Sequence, residues 1–202
     1  MLEEPRATAP ARRMSREGRR EQILDAAAGV VARRGFAGTS TDAIARAAGV
    51  SQPYVVRAFG GKGALFEALF SRAAQRTVDA FRAAPADEAP DDALGRAHLG
   101  LVRDGDDLLV LMHGFAAGSD PAIGALARSA VADVYRTVRD RLGDPEAATA
   151  FVARGMLTNV LLAIDAPGRS TDDADLAELT ARAGAAAHPV TPGADGHGDG
   201  QR

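Results

Sequence analysis

The sequence predicts an all-α protein in which a small three-helix domain at the N-terminus precedes a larger helical bundle. Alanine is abundant and aromatic residues make up only 4% of the chain, which favours helices over sheets. Apolar residues recur every three or four positions over most of the length, and no stretch shows the strict alternation of a half-buried strand. At 202 residues the chain can bury a substantial core in one or two domains.

The first helix is bounded by clear start and stop signals. Residues 1–14 are polar and rich in Pro, Ala and Arg, so we expect a disordered basic arm. Ser15 is a suitable N-cap, and Gly35 is a suitable C-cap with Phe36 as an anchor behind it. Apolar side chains between them follow helical spacing. We therefore expect a first domain at 15–62 that begins with this helix.

Two short helices and one long helix follow. Ser40 can cap a short helix that stops at Gly49, and Ser51 can cap the next one, which ends at Gly60. Lys62 then opens a long helix with a strong apolar stripe. The three helices before Lys62 make up the predicted N-terminal domain.

The second domain is expected at 63–185. Residues 63–84 continue the long helix as a connection, and the acidic loop 85–92 marks the seam between the domains. Proline and glycine residues divide the rest of the sequence into helical segments. The expected helices span 91–103, 105–117, 121–142, 145–165 and 172–184. The tail 186–202 is rich in Gly and Pro and is expected to be disordered.

Charge is distributed unevenly along the chain. Residues 1–76 contain 13 basic and 7 acidic side chains, whereas residues 77–202 contain 11 and 20. A basic N-terminal third beside an acidic remainder indicates a polyanionic partner for the first part alone. An uneven surface without a partner is the alternative.

Several classes of protein are disfavoured by composition. The chain has no cysteine, which excludes disulfides and cysteine-based metal sites. The histidines at 98, 113, 188 and 197 show no metal-ligand spacing, so we expect neither a metal nor another cofactor. No 18-residue apolar run and no signal-peptide pattern is present, and the expected location is cytoplasmic, without a membrane partner.

The stretch from Ile44 to Phe59 carries the main functional signal. Two short helices meet at a tight turn in which Gly49 can adopt a positive φ. Ala45 supplies a small side chain where the second helix crosses the first. The apolar residues at inward positions are Ile44, Ala48, Val50, Val55 and Ala58. This pattern is typical of a DNA-binding helix-turn-helix, and a helical hairpin without a DNA role is the alternative.

Residues 20–66 resemble the DNA-binding domain of TetR-type (TetR/AcrR) transcriptional regulators. The shared motifs are Gly35-Phe36, Thr39-Ser40 before Ile44-Ala45, Ala48 to Ser51, and Val55 to Gly63. Lys62 is the only lysine in the chain and stands at the family's lysine position. The chain departs from the family pattern at Val56 and Ala58, where a Tyr and a His are usual, and at Gly63, where a Glu is usual.

The resemblance implies which residues contact DNA. Gln52, Tyr54 and Arg57 are expected to face the major groove, where Gln can read adenine and Arg guanine. Ser40 and Lys62 are expected to hold phosphates, together with their neighbours and the arginines that precede the first helix. The predicted DNA-binding residues are Ser40, Thr41, Ser51, Gln52, Pro53, Tyr54, Arg57, Lys62, Arg16 and Arg19. For each of them, the alternative is a helix cap or a solvated charge.

The second domain is expected to form a homodimer. The segment from Phe151 to Ile164 is apolar nearly all round, which indicates burial on more than one side. The predicted interface residues are Val152, Gly155, Thr158, Asn159 and Leu162. The last helix, near Leu176 and Leu179, would join it in a four-helix interface. A central helix of a monomer is the alternative.

The same domain is expected to hold a small-molecule effector. Methionine and aromatic side chains suit an adaptable apolar cavity. The predicted pocket residues are Leu108, Met112, His113, Phe115, Tyr135, Phe151, Arg154, Met156 and Asn159. Plain core packing is the alternative, and a histidine such as His98 on an apolar face is more often a hydrogen-bonded core residue than a ligand contact.

Taken with the resemblance, these features predict a ligand-responsive repressor that binds a palindromic duplex operator as a homodimer. One alternative is a DNA-binding architectural protein without an effector. Another is an all-α enzyme, which is disfavoured because no paired nucleophile and base is evident. The glycine-rich run at 60–63 follows a helix rather than a strand, so it does not indicate a phosphate-binding loop.

Overall fold

A computed structural model describes residues 15–102, 106–169 and 171–184. Within these ranges the chain is helical and contains no strand, which confirms the predicted all-α class. The arm predicted for 1–14 and the tail predicted for 186–202 lie outside the described residues. Over the described part, no helix is both long and apolar enough to cross a lipid bilayer.

The N-terminal part is formed by three helices and the start of a fourth. They are α1 (Arg16–Gly38), α2 (Thr41–Ala47), α3 (Gln52–Phe59) and α4 (Lys62–Arg82). Ser15 begins α1 as predicted, its side chain accepting a hydrogen bond from the backbone N–H of Gly18 at 3.0 Å. The first helix does not stop at Gly35; the backbone kinks there at a φ of 68° and runs on to Gly38.

Five more α-helices complete the fold. They are α5 (Pro90–Val102), α6 (Asp106–Ala116), α7 (Pro121–Leu142), α8 (Pro145–Ala163) and α9 (Ala174–Arg182), with a 3₁₀ turn at Pro167–Arg169. Asp120 and Asp144 cap α7 and α8 through hydrogen bonds from backbone N–H groups, and each helix has proline in its first turn. The predicted boundaries lie within a few residues of these, although α9 is shorter than the predicted 172–184.

The hydrophobic core of the N-terminal helices extends into the second part of the chain. Ile23 of α1, Ile44 of α2 and Val55 of α3 are buried together with Phe66 of α4. Val110 of α6 and Ile123 of α7 belong to the same cluster. A second cluster surrounds Phe81, and a third surrounds Leu161 and Leu162. Packing therefore continues across the boundary predicted at 62–63.

Polar contacts also join α4 to the N-terminal helices and to the helices that follow it. One guanidinium nitrogen of Arg72 lies 3.0 Å from the Glu21 carboxylate and 2.8 Å from that of Asp25, both on α1. One turn further along, Arg76 donates to the Asp107 carboxylate of α6 at 2.8 Å. As a result, α4 is bonded to the first helix on one side and to α6 on the other.

Candidate nucleic-acid interface and ligand cavities

The turn between α2 and α3 has the geometry that the sequence predicts. Gly49 adopts a φ of 63°, and the N–H of Val50 donates to the carbonyl oxygen of Ala45 at 3.0 Å. Ala45 is 2% exposed, which leaves room for α3 to cross α2 closely. The side-chain amide of Gln22 on α1 donates to the carbonyl of Ala48 at 3.0 Å and anchors the end of α2. These contacts hold α3 in one orientation.

One face of α3 is turned outward. Val55 is fully buried, whereas Gln52, Pro53, Val56 and Arg57 are exposed. The amide of Gln52 donates to the hydroxyl of Thr41 at 3.2 Å, which joins the starts of α2 and α3. An outward row that contains an amide and a guanidinium can form hydrogen bonds with base edges in a groove.

Ser51 occupies the N-cap position of α3, but its side chain makes no capping hydrogen bond there. This differs from the capping role that the sequence suggested. Because Ser51 is exposed, its hydroxyl is available to an external acceptor such as a phosphate oxygen.

Tyr54 is only half-buried and lies beside a basic surface cavity. The cavity has a volume of about 470 Å³ and is lined by Arg16, Glu17, Arg20, Tyr54, Arg57 and Ala58. The guanidinium of Arg20 stacks 4.3 Å from the Phe59 ring centroid. Three arginines around one phenol make this end of α3 suited to a polyanion.

The remaining predicted contacts have partners within the protein. Ser40 caps α2 as predicted, accepting from the N–H of Ala43 at 3.1 Å. Lys62 donates to the carbonyl of Ala37 at 3.1 Å and lies 4.7 Å from the Phe36 ring centroid. Arg19 donates to the side chain of Gln22 at 2.8 Å. An ammonium and a guanidinium each have several donors, so these bonds leave others for phosphate.

Residues 23–69, which run from within α1 to the first two turns of α4, match the model of the bacterial regulatory proteins, tetR family. This segment is similar to the TetR family of bacterial regulatory proteins. The matched segment contains the whole helix-turn-helix, including the exposed face of α3. No curated protein sequence matches the chain significantly.

Solved structures of TetR-type proteins resemble the whole fold. A TetR-like transcriptional regulator from Rhodococcus sp. RHA1 is 27% identical with a TM-score of 0.56, covering 86% of this chain and 88% of its own. A tetR-family transcriptional regulator from Streptomyces coelicolor is 24% identical with a TM-score of 0.61, covering 84% and 89%. The multidrug binding protein EbrR, complexed with proflavin, is 23% identical with a TM-score of 0.53, covering 82% and 99%.

The residues predicted to form one effector pocket lie in several places. Phe151 and Arg154 line one cavity, while Phe115 and Tyr135 line a separate groove of about 560 Å³ along α7. Leu108 and Met112 pack in the cluster around Leu161 and Leu162, and Met156 is 36% exposed. His113 faces α1, where a β-carbon on Gly35 would lie 3.3 Å from its ring.

The cavity at Phe151 and Arg154 is the more enclosed and polar of the two. Its volume is about 330 Å³, and it lies between α5, α8 and the end of α9. Its lining residues are Asp91, Asp92, Gly95, Arg96, His98, Leu99, Phe151, Arg154, Gly155, Thr158, Arg182, Ala183 and Gly184. We refer to it as the α5–α8 cavity. Most of these lining residues were not predicted from the sequence. The only sequence signal for a cavity here is the presence of glycines inside the two helices α5 and α8.

Two polar atoms near this cavity, Nε2 of His98 and Oδ1 of Asn159, are buried from solvent. Burial lowers the pKa of the His98 imidazole below its ordinary value, and a hydrogen bond with the Asn159 side chain opposes this shift only in part. The ring is therefore neutral at pH 7 and is inclined by 29° to the Phe81 ring, with 6.3 Å between centroids.

The predicted dimer face also requires correction. Thr158 and Leu162 are each 2% exposed, and the Thr158 hydroxyl donates to the carbonyl of Ala183 at 3.0 Å. Side chains buried against α9 and the core are not available to a second copy. Gly155 lines the α5–α8 cavity, while Val152 and Asn159 are half-buried. The large apolar residues that α8 and α9 do expose are Met156, Leu157, Val160, Ile164 and Leu179.

Proposed function

We propose that this TetR-type chain is a ligand-responsive transcriptional repressor that binds a palindromic duplex operator as a homodimer. The observation that carries the proposal is the outward face of α3, where Gln52 and Arg57 are exposed on a helix anchored by the buried Val55. The relatives of known structure are named as transcriptional regulators, which supports a regulatory rather than an enzymatic role.

In this proposal, α3 enters the major groove. Gln52 reads adenine and Arg57 reads guanine through two hydrogen bonds each. Tyr54 lies at the edge of the basic cavity and contacts the sugar–phosphate backbone. The residues that hold phosphates are Ser40, Thr41, Ser51, Lys62, Arg16 and Arg19, and Pro53 lies against the DNA in van der Waals contact only. Val56 adds an apolar contact of the kind that thymine methyl groups accept.

A homodimer supplies the second α3. Two recognition helices must lie one helical turn of DNA apart, about 34–36 Å, to enter successive major grooves. We assign the interface to the exposed apolar surface of α8 and α9, which is defined by Met156, Leu157, Val160, Ile164 and Leu179. Apolar surface grouped on two neighbouring helices favours association with a self-complementary surface.

Ligand response requires a connection between the second domain and α3. The fourth helix supplies it, because it begins at Lys62 beside the end of α1 and reaches Phe81 next to the α5–α8 cavity. At 21 residues it spans about 30 Å. Arg72 and Arg76 bond it to α1 and α6 on the way. A ligand that prefers one position of α4 therefore shifts the position of the recognition helix.

The test is selection of bound duplexes from a random pool by the full chain, followed by fluorescence anisotropy on the enriched sequence. We expect a palindrome with half-site centres about one helical turn apart and an affinity that falls steeply with salt. Arg57→Glu should abolish binding, whereas Arg139→Glu, an exposed arginine on α7, should preserve it. Failure to bind any duplex at low salt would overturn the proposal.

A further inference from the structure

We infer that the groove along α7 binds a small carboxylate with an apolar body, such as an arylalkyl carboxylate. The groove lies beside Phe115 at the end of α6 and runs over Arg128, Val131 and Tyr135 of α7. We refer to it as the α7 groove. As the site of the ligand response this inference rests on the proposed function, whereas binding itself is tested without DNA.

The groove follows one face of α7. Arg128, Val131 and Tyr135 stand three or four positions apart, so they form one stripe along the helix. From Arg128 to Tyr135 this stripe is about 10 Å long. Val131 is 45% exposed although it is apolar. The groove volume of about 560 Å³ lies in the range of small-molecule sites, so the groove suits an elongated apolar molecule.

Arg128 stands at one end of this stripe without a partner. It is exposed and makes no hydrogen bond or ion pair with any described residue. Every other described arginine that follows α4 is paired with a carboxylate or bonded to a carbonyl oxygen. Carboxylates are not scarce, since residues 77–202 contain 20 acidic and 11 basic side chains. The sequence explains the exception, because no position three or four residues away from Arg128 on α7 is acidic.

The guanidinium of Arg128 lies at the groove rather than away from it. One of its terminal nitrogens would be 3.2 Å from a β-carbon on Gly124, which also lines the groove. The side chain is thus folded back toward the start of α7, the usual direction for a long side chain on a helix. An unpaired guanidinium beside apolar surface favours a carboxylate, because its planar fork can donate two parallel hydrogen bonds. It compensates one negative charge, so we expect a monoanion.

The α7 groove also borders the packing that positions α4. Phe115 lines the groove, and its ring lies edge-on to that of Phe70 on α4, with 5.9 Å between centroids. Ala127 lines the groove from α7 and belongs to the same hydrophobic cluster as Phe70. A ligand that prefers one position of the Phe115 ring therefore acts on the helix that leads to α3, as a ligand response requires.

The experiment uses the full chain and 4-phenylbutyrate as the probe, with binding measured by isothermal titration calorimetry in the absence of DNA. We expect a Kd in about the millimolar range for a ligand of this size. The uncharged 4-phenylbutanamide keeps the apolar body and should bind about tenfold more weakly. Acetate keeps the charge but has no apolar body, so it should show no measurable binding.

Two pairs of variants locate the probe. Arg128→Gln removes the charge and should weaken 4-phenylbutyrate about tenfold without changing the affinity for the amide. Arg139→Gln is the matched control, since Arg139 is an exposed arginine of α7 that is already paired with Asp140. Ala132→Phe fills the groove and should abolish binding, whereas Ala125→Phe places the same ring outside it. Both alanines are exposed, so neither substitution should disturb the fold.

Arg128→Glu adds a test that does not depend on a loss of binding. The charge at the end of the groove is inverted, so 4-phenylbutylamine should bind more tightly than 4-phenylbutyrate, the reverse of the wild-type preference. Arg139→Glu should keep the wild-type preference, because that side chain does not line the groove.

The inference is overturned if the wild-type chain does not bind 4-phenylbutyrate, if Arg128→Gln binds it equally well, or if Arg128→Glu keeps the wild-type preference. Operator affinity is measured separately and should fall in saturating 4-phenylbutyrate; an unchanged affinity would refute this groove as the site of the ligand response. A chain that binds a duplex but not 4-phenylbutyrate refutes this inference alone. A chain that binds 4-phenylbutyrate but no duplex refutes the proposed function.

Discussion

Gly114 of α6 lies so close to Phe70 of α4 that a β-carbon on it would be 2.2 Å from two carbons of the phenyl ring. Phe70 is fully buried and packs edge-on against Phe115, with 5.9 Å between centroids. The glycine is therefore required by a close helix–helix approach rather than by a turn. This contact sets the distance between α4 and α6, the two helices that Arg76 and Asp107 also join.

The first prediction concerns this contact. Gly114→Ala should destabilise the fold by about 1–3 kcal/mol, because a methyl group cannot enter without displacing the buried ring. Chemical denaturation with circular dichroism would measure the change. Gly100→Ala is the matched control, since a β-carbon there meets no described atom within 4 Å; it should be neutral or slightly stabilising. Equal stability of Gly114→Ala and the wild type would contradict the close approach.

The second prediction separates base recognition from phosphate contact at Arg57. Arg57→Ala should weaken binding to the selected operator by about 1–3 kcal/mol if the guanidinium reads a base edge. Binding to random duplexes should change much less. Fluorescence anisotropy on both DNAs at one salt concentration makes the comparison. Equal losses on both would reduce Arg57 to a phosphate contact.

The third prediction concerns the surface of α8. Val160→Glu should convert the proposed dimer to a monomer, because it places a charge in the middle of the exposed apolar surface. Sedimentation velocity would report the change in mass. Val131→Glu is the control, since this valine is equally exposed but lies on α7. If the Val160→Glu variant remains a dimer, then the interface does not lie on this surface of α8.

The fourth prediction follows from the lowered pKa of His98. The unfolded chain takes up a proton on this imidazole near its ordinary value of about 6.5, whereas the folded protein does so only at a lower pH. The stability contributed by the neutral ring is therefore complete above that value and declines as the pH falls below it. His98→Phe should flatten this part of the profile.

Urea midpoints recorded between neutral and mildly acidic pH would compare the wild type with His98→Phe. The difference between the two proteins should grow toward acidic pH in favour of the variant. If the two profiles run parallel, then His98 does not titrate differently in the folded and unfolded states.

The sequence by itself predicted those features that depend on neighbouring residues. Helix starts and stops follow from local caps, and the α2–α3 turn follows from Gly49, whose positive φ is costly for other residues. The outward position of Gln52 and Arg57 and the burial of Val55 follow from helical spacing over one short segment. The TetR resemblance rests on the same segment, so the order of the residues alone is enough to recognise it.

Only the tertiary structure decided which faces of the helices after α4 are buried and which are exposed. In a helix that is apolar nearly all round, such as α8, periodicity cannot distinguish the inner face from the outer one. The bond from Thr158 to Ala183 and the contact between Gly155 and His98 join residues 25 or more positions apart. The α5–α8 cavity exists because Gly95 of α5 and Gly155 of α8 border the same space near the end of α9. Such a space is a property of their packing, and no local pattern of residues specifies it.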